Sequence, residues 1–237
     1  MSAEQEAFSR FEFKYLLDPV MYLRVRDFID SIGLFPDENT PENPYSVTSL
    51  YFDTFGLDDY YDKAAGLLSR KKVRIRTYAG SFNGETREVF FEVKNKYDMF
   101  IAKERAVVSG RQWRDIVAGD FEGFSPLFDY HVTREGRVPT ALVRYRREAF
   151  EDWFEGRVRL TFDRQIETAR PDELSTESGP YSWVSVSGED TVLEIKFAKR
   201  LPWWFSLMLE RFDLARTAYS KYARSVDVLY CYDPLPR

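Results

Sequence analysis

Residues 71–78 read KKVRIRTY and residues 90–96 read FFEVKNK. Both alternate with a period of two. Val73 and Ile75 are interleaved with Lys72, Arg74 and Arg76, and Phe91 and Val93 with Glu92, Lys94 and Lys96. Consecutive side chains of a β-strand point to opposite faces, so each segment is a strand with one apolar and one charged face. The same pattern recurs outward in both directions. Phe11, Phe13 and Tyr15 alternate with Arg10, Glu12 and Lys14. Val158, Leu160 and Phe162 alternate with Arg157, Arg159 and Asp163, and Leu193, Ile195 and Phe197 with Glu194 and Lys196. Period-two alternation of this kind is the primary signature of a sheet.

For any one strand the ordinary outcome is an apolar face on a core and a charged face in water. The set argues otherwise. Its charged faces carry few Ser, Thr or Gln residues, and Arg-x-Arg and Glu-x-Lys recur with like charges on one face. Like charges held close are unfavourable unless an anion lies between them. Helices are too few to cover a flat sheet but enough to plug and wrap a barrel. The pattern predicts an α+β fold, a closed antiparallel β-barrel tunnel with flanking and plugging helices, its charged faces turned inward around a polyanion. Arg forks and Lys ammonium groups suit phosphate, and a few carboxylates among them suit a divalent cation that bridges phosphate oxygens. No phosphate-binding glycine loop is present, so recognition falls to side chains.

Helices are predicted after the Asp18-Pro19 cap pair, running to Gly33, from Ser109 to Gly119, from Pro202 to Phe212, and from about Tyr219 to Leu229. Loops are expected at Phe35 to Pro44, Gly80 to Gly84 and Pro171 to Pro180. The 237 residues, 44% of them hydrophobic, read as one domain, 1–237. A net charge of -5 with no basic tail argues against nonspecific binding of nucleic acid. Cys231 and His131, the only residues of their kinds, exclude an internal disulfide and a His- or Cys-rich metal site. The polar start and the absence of a long apolar run make the expected location cytoplasmic, with no membrane segment.

Eight segments occur in an order that narrows the reading: FEFKY (11–15), SLYFDT (49–54), KVRIRTY (72–78), FFEVKNK (90–96), YRREAF (145–150), VRLTFD (158–163), VLEIKF (192–197) and SKY (220–222). Together they resemble a VTC domain, the polyphosphate polymerase module of the vacuolar transporter chaperone complex, among the triphosphate tunnel metalloenzymes. The resemblance implies phosphate-gripping roles for Lys14, Arg74, Arg76, Lys94, Lys103, Arg147 and Lys221, with Arg144 and Arg146 as neighbours that one sequence does not separate from Arg147. It implies substrate binding by Arg159, Lys196 and Ser220, and Mn2+ or Mg2+ at Glu194 with Glu12 and Glu92. For Glu92 a salt bridge that holds Lys94 remains an equal reading. Lys72, Lys96, Arg105 and Arg157, at strand ends, are expected in solvent, and Asp53 is expected to fix a turn before Tyr60. The implied partners are ATP and polyphosphate or tripolyphosphate, with a separate membrane partner for any translocation. The implied reaction is synthesis of polyphosphate, with hydrolysis or simple polyphosphate binding as alternatives. One departure stands out. Where some relatives carry a lysine three residues before that of SKY, this chain has Ala218, which leaves open how basic the product end is.

Overall fold

A computed structural model describes residues 11–37, 43–78, 88–98, 100–109, 126–152, 158–171, 182–197 and 200–230. Ten strands form one antiparallel sheet. They are β1 (Phe11–Leu17), β2 (Phe35–Pro36), β3 (Tyr45–Thr54), β4 (Ser69–Thr77), β5 (Glu88–Tyr97), β6 (Phe100–Ser109), β7 (Arg137–Asp152), β8 (Val158–Ala169), β9 (Val184–Ser185) and β10 (Thr191–Phe197). The helices are α1 (Pro19–Ser31), α2 (Asp58–Ala64), α3 (Pro126–Phe128, continued by a π turn through Arg134), α4 (Trp203–Phe212) and α5 (Lys221–Tyr230). Asp18 caps α1 as its sequence requires, its carboxylate accepting from Met21 N at 2.8 Å. Phe35 and Pro36, expected in a loop, pair with β7. Ser109, expected to cap a helix, ends β6; residues 110–119 of that expected helix lie outside the described residues, as do Cys231, Arg10 and Arg157. No described helix is long and apolar enough to cross a membrane.

The strand order is β1-β10-β8-β7-β3-β4-β5-β6, with β2 and β9 attached at the side. Among the described residues no ladder joins β1 to β6, so the closed barrel expected from the alternation is a curled, open sheet. The free edge of β1 is met by the chain before α5 instead. Thr217 N donates to Lys14 O at 2.8 Å, and Tyr15 pairs with Arg216 in an isolated bridge. Side chains cross the seam too: Lys94 of β5 reaches Glu12 of β1 at 3.0 Å. Register shifts in the β3–β7 and β7–β8 ladders add the local twist that curls a sheet. The second coincides with Gln165 at φ 50°.

The outer, apolar face is buried as the alternation requires. Leu160, Phe162, Leu193 and Ile195 pack under α1 and α4 with Ile29, Trp204, Phe205 and Met208. Val73, Ile75, Phe91 and Val93 pack under Phe128 and Val132. The interior divides in two. At one end α5 is a plug, with Tyr222, Val226 and Leu229 packed on Tyr51, Val143, Ile166 and Val192; the Tyr51 and Tyr222 rings stack at 5.1 Å. The remainder is charged. The wholly charged lumen expected from the strands is thus a charged half above an apolar, helix-filled half.

Candidate functional site

Antiparallel register sets the rungs of the charged half. Lys14 faces Glu194 and Glu12 faces Lys196 across β1–β10. Asp163 faces Arg147 across β8–β7, Arg74 faces Glu92 across β4–β5, and Lys94 faces Lys103 across β5–β6. These positions all carry the inward parity read from the sequence.

Three ionic knots result. In the first, Lys14 Nζ lies 3.0 Å from Glu12 and 3.5 Å from Glu194, and donates to Tyr219 O at 3.1 Å. Glu194 also contacts Lys196. Burial and the neighbouring Glu194 push the Glu12 carboxyl up, but Lys14, Lys196 and Lys94 outweigh them and hold it well below the usual range. Burial likewise raises Glu194, and Lys196 and Lys14 more than reverse it. In the second, Arg147 makes a two-pronged pair with the buried Asp163 at 2.6 and 2.8 Å, and Lys221 joins the same carboxylate at 2.5 Å. In the third, Glu92 takes Arg74 at 2.7 Å on one oxygen and Lys103 at 2.7 Å on the other, with Arg76 and Arg105 further out at 4.0 and 3.7 Å.

Aromatic groups hold the clamps in place. Tyr51 Oη accepts from Arg74 at 3.2 Å and Tyr145 Oη from Arg76 at 3.3 Å, while Ser49 Oγ accepts from Arg76 Nε at 3.1 Å. The Tyr145 ring lies 5.2 Å from the Arg147 guanidinium and 4.7 Å from Lys221 Nζ.

Lys14, Arg74, Arg76, Lys94, Lys103, Arg147, Lys196, Lys221, Ser220, Glu12 and Glu194 converge on the lumen. Arg144 and Arg146 do not: Arg144 pairs with Glu167 at 2.7 Å and Arg146 reaches Pro44 O. Arg159 sits toward one mouth, paired with Asp37 and 3.3 Å from Tyr45 Oη. Glu92 is set among cations rather than beside Glu12 and Glu194, and Lys94 pairs with Glu12, not with Glu92. Asp53 accepts from the Thr54, Asp59 and Tyr60 amides at 2.7–3.1 Å, fixing the turn into α2.

Lys72 corrects the expectation of a solvated strand end. Its ammonium donates to Ser220 Oγ at 3.0 Å, with no carboxylate in ion-pair reach among the described residues. Burial, then Lys14 and Lys94, push its pKa well below the usual lysine value, with Glu12 opposing. At the same mouth Arg70 faces Lys96 across β4–β5, and both line a cleft of about 380 Å3 that Asp58 and Asp62 also border. Asp163 and Tyr145 are the residues to which the sequence reading gave no role; Asp163 lay on a charged face by parity, but only the fold shows that it ties Arg147 to Lys221 and that Tyr145 backs Arg76.

No three His, Cys, Asp or Glu side chains gather as a ready metal cage among the described residues. Two carboxylates, Glu12 and Glu194, do meet at one ammonium. That donor set fits a hard divalent cation whose remaining ligands are phosphate oxygens and water.

A curled antiparallel sheet of this kind is shared with solved structures. A Bacillus halodurans protein assigned as an adenylate cyclase superposes with a TM-score of 0.54 at 12% identity, over 91% of this chain and 95% of that one. A Hippeastrum protein assigned as an adenylyl cyclase, with a dominant triphosphatase activity, gives 0.56 at 17% identity over 92% and 95%. The chain belongs to the VTC domain family, which matches residues 9–230. No curated protein matches it.

Proposed function

We propose that residues 1–237 form a phosphoryl-transfer enzyme that extends polyphosphate from the γ-phosphate of ATP inside the charged half of the tunnel. The carrying observation is that four half-buried lysines, Lys72, Lys14, Lys94 and Lys196, stand against two carboxylates, Glu12 and Glu194, a surplus of positive charge that a phosphate chain would neutralise. Membership of the VTC family and the triphosphatase activity of the Hippeastrum relative support a triphosphate substrate.

In this reading Arg74, Arg76, Lys103, Arg147 and Lys221 grip the triphosphate and stabilise charge on the transferring group by fixed electrostatics. Glu194 and Glu12 would hold Mn2+ or Mg2+, which when bound neutralises phosphate charge. The terminal oxygen of the growing chain attacks the γ-phosphorus, the bond to the bridging oxygen breaks, and ADP leaves. No protein nucleophile is required. Water in place of the chain end would give a triphosphatase with the same clamps. Ala218, where some family members carry lysine, and the activity of the Hippeastrum relative support that second reading.

Phosphorus-31 NMR of the protein with ATP and manganese separates them. A growing signal from internal phosphates alongside ADP is the expected result. ADP with orthophosphate alone would establish the hydrolase, and unchanged ATP together with unchanged tripolyphosphate would leave a polyphosphate-binding module.

A further inference from the structure

Beyond Arg76 the inner face of the tunnel changes character. Two residues on, about 7 Å along the strand, stands Tyr78, 42% exposed. Its ring meets Phe90 edge-on at 5.8 Å and Tyr45 at 6.1 Å. The Arg105 guanidinium lies 3.6 Å over the Phe90 ring, and its side chain is 40% exposed. Arg105 Nε is 3.7 Å from Glu92, the carboxylate that also carries Arg74. The clamp and this aromatic rim are therefore built on one anchor. Burial raises the Tyr78 hydroxyl, but Arg76, with Arg105 and Lys103, outweighs it and lowers the pKa, so the phenol lies beside the same cations.

A rim that merely seals the sheet would bury its rings, as Tyr45 is buried. Tyr78 and the outer plane of Arg105 stay open next to the phosphate clamps. Planar aromatic and guanidinium surfaces are what nucleobases stack on. We propose that Tyr78, Phe90 and Arg105 form a stacking platform for the base of a nucleoside triphosphate whose phosphates lie between Arg74, Arg76 and Lys103. This rests on the triphosphate reading above and adds which mouth admits the nucleoside, with the opposite mouth, at Arg70 and Lys96, left for the phosphate chain.

Calorimetric titration with ATP and with inorganic tripolyphosphate, at one metal concentration, tests it. In Tyr78→Ser the affinity for ATP should fall about five- to a hundredfold, as loss of one stacked base predicts, while tripolyphosphate binds as before. Tyr78→Phe should retain ATP affinity, and Arg105→Gln should repeat the ATP-selective loss. Equal losses for both ligands, or none, would overturn the platform. Tripolyphosphate binding without any ATP binding in the unaltered protein would overturn the platform and leave the tunnel reading standing. Failure of both ligands to bind would overturn the two together.

Discussion

Lys72 has a hydroxyl for its partner where a buried lysine ordinarily finds a carboxylate, and its depressed pKa follows from burial and from Lys14 and Lys94. An incoming phosphate favours the charged form, so binding should take up a proton. Affinity for tripolyphosphate should therefore weaken as pH rises above the depressed pKa. Calorimetry in buffers of different ionisation enthalpy should show proton uptake that Lys72→Met removes. Asp163 shows the opposite sign. Burial raises its pKa, but Arg147 and Lys221 outweigh burial and bring it to about 2 from 3.8. A depressed carboxylate adds stability above its unfolded pKa, about 2 kcal/mol here, and that stability is lost as pH falls through 3.8 toward 2. Asp163→Asn should flatten the pH dependence of urea unfolding in that window. It should also cost roughly 3–5 kcal/mol at pH 7, because two buried cations lose their counter-charge. Parity alone placed Asp163 inside; that it ties Arg147 to Lys221 depends on α5 arriving from a distant part of the chain, which no local pattern encodes.

At the level of elements, β4 and β5 form a ladder of opposed cations. Arg70 faces Lys96, Lys72 faces Lys94, and only at the Arg74–Glu92 rung does a carboxylate enter. From Arg70 to Arg76 the strand runs about 20 Å, longer than a triphosphate tail. Lys63 and Arg224 add charge at the same mouth: burial, then Arg70, Lys14, Lys96 and Arg224, lower the Lys63 pKa. Arg70, Lys96, Lys63 and Arg224 thus bring positive charge to that mouth although position 218 is alanine, with Asp58 and Asp62 at its border. An Arg70→Ser, Lys96→Ser double variant should bind tripolyphosphate normally and long polyphosphate more weakly, with a salt slope shallower by roughly one to two. Equal binding of both chain lengths by variant and parent would sink the idea. The strands themselves were legible, because an alternation of Val, Ile and Phe with Lys, Arg and Glu admits little else. Helix α2 and the turn at Asp129–Arg134 were not, since seven and six residues with mixed polarity carry no clear period. The plug was legible as a helix but not as an interior element, because its apolar face has the same spacing whichever side of the sheet it meets.

Across the whole molecule, the free protein holds its lumen together by ionic knots that a phosphate chain would have to share. A ligand that binds only the folded form stabilises it by about 2.7 kcal/mol at a hundred times its Kd. For a chain of this size that corresponds to a rise in Tm of roughly 5–10 °C. Tripolyphosphate should produce such a rise and an equal concentration of orthophosphate a smaller one; no difference between them would argue against a site built for linked phosphates. The sheet was readable as curled, its closure was not. Alternation says which face is inside, but whether the last ladder forms depends on what competes for the edge of β1, and the backbone at Arg216 and Thr217 occupies it.

That seam also sets a timetable for synthesis. Lys14 waits for Tyr219, 205 residues later, and at ribosomal speed that interval is about 10–40 s. For most of it β1 has neither of its partners; β10 arrives first on one edge, and the other edge still waits for Arg216 and Thr217. The apolar half of the lumen is not filled until α5 emerges, so chaperone demand should concentrate on β1, and a chain stalled before residue 214 should be recognised as unfinished.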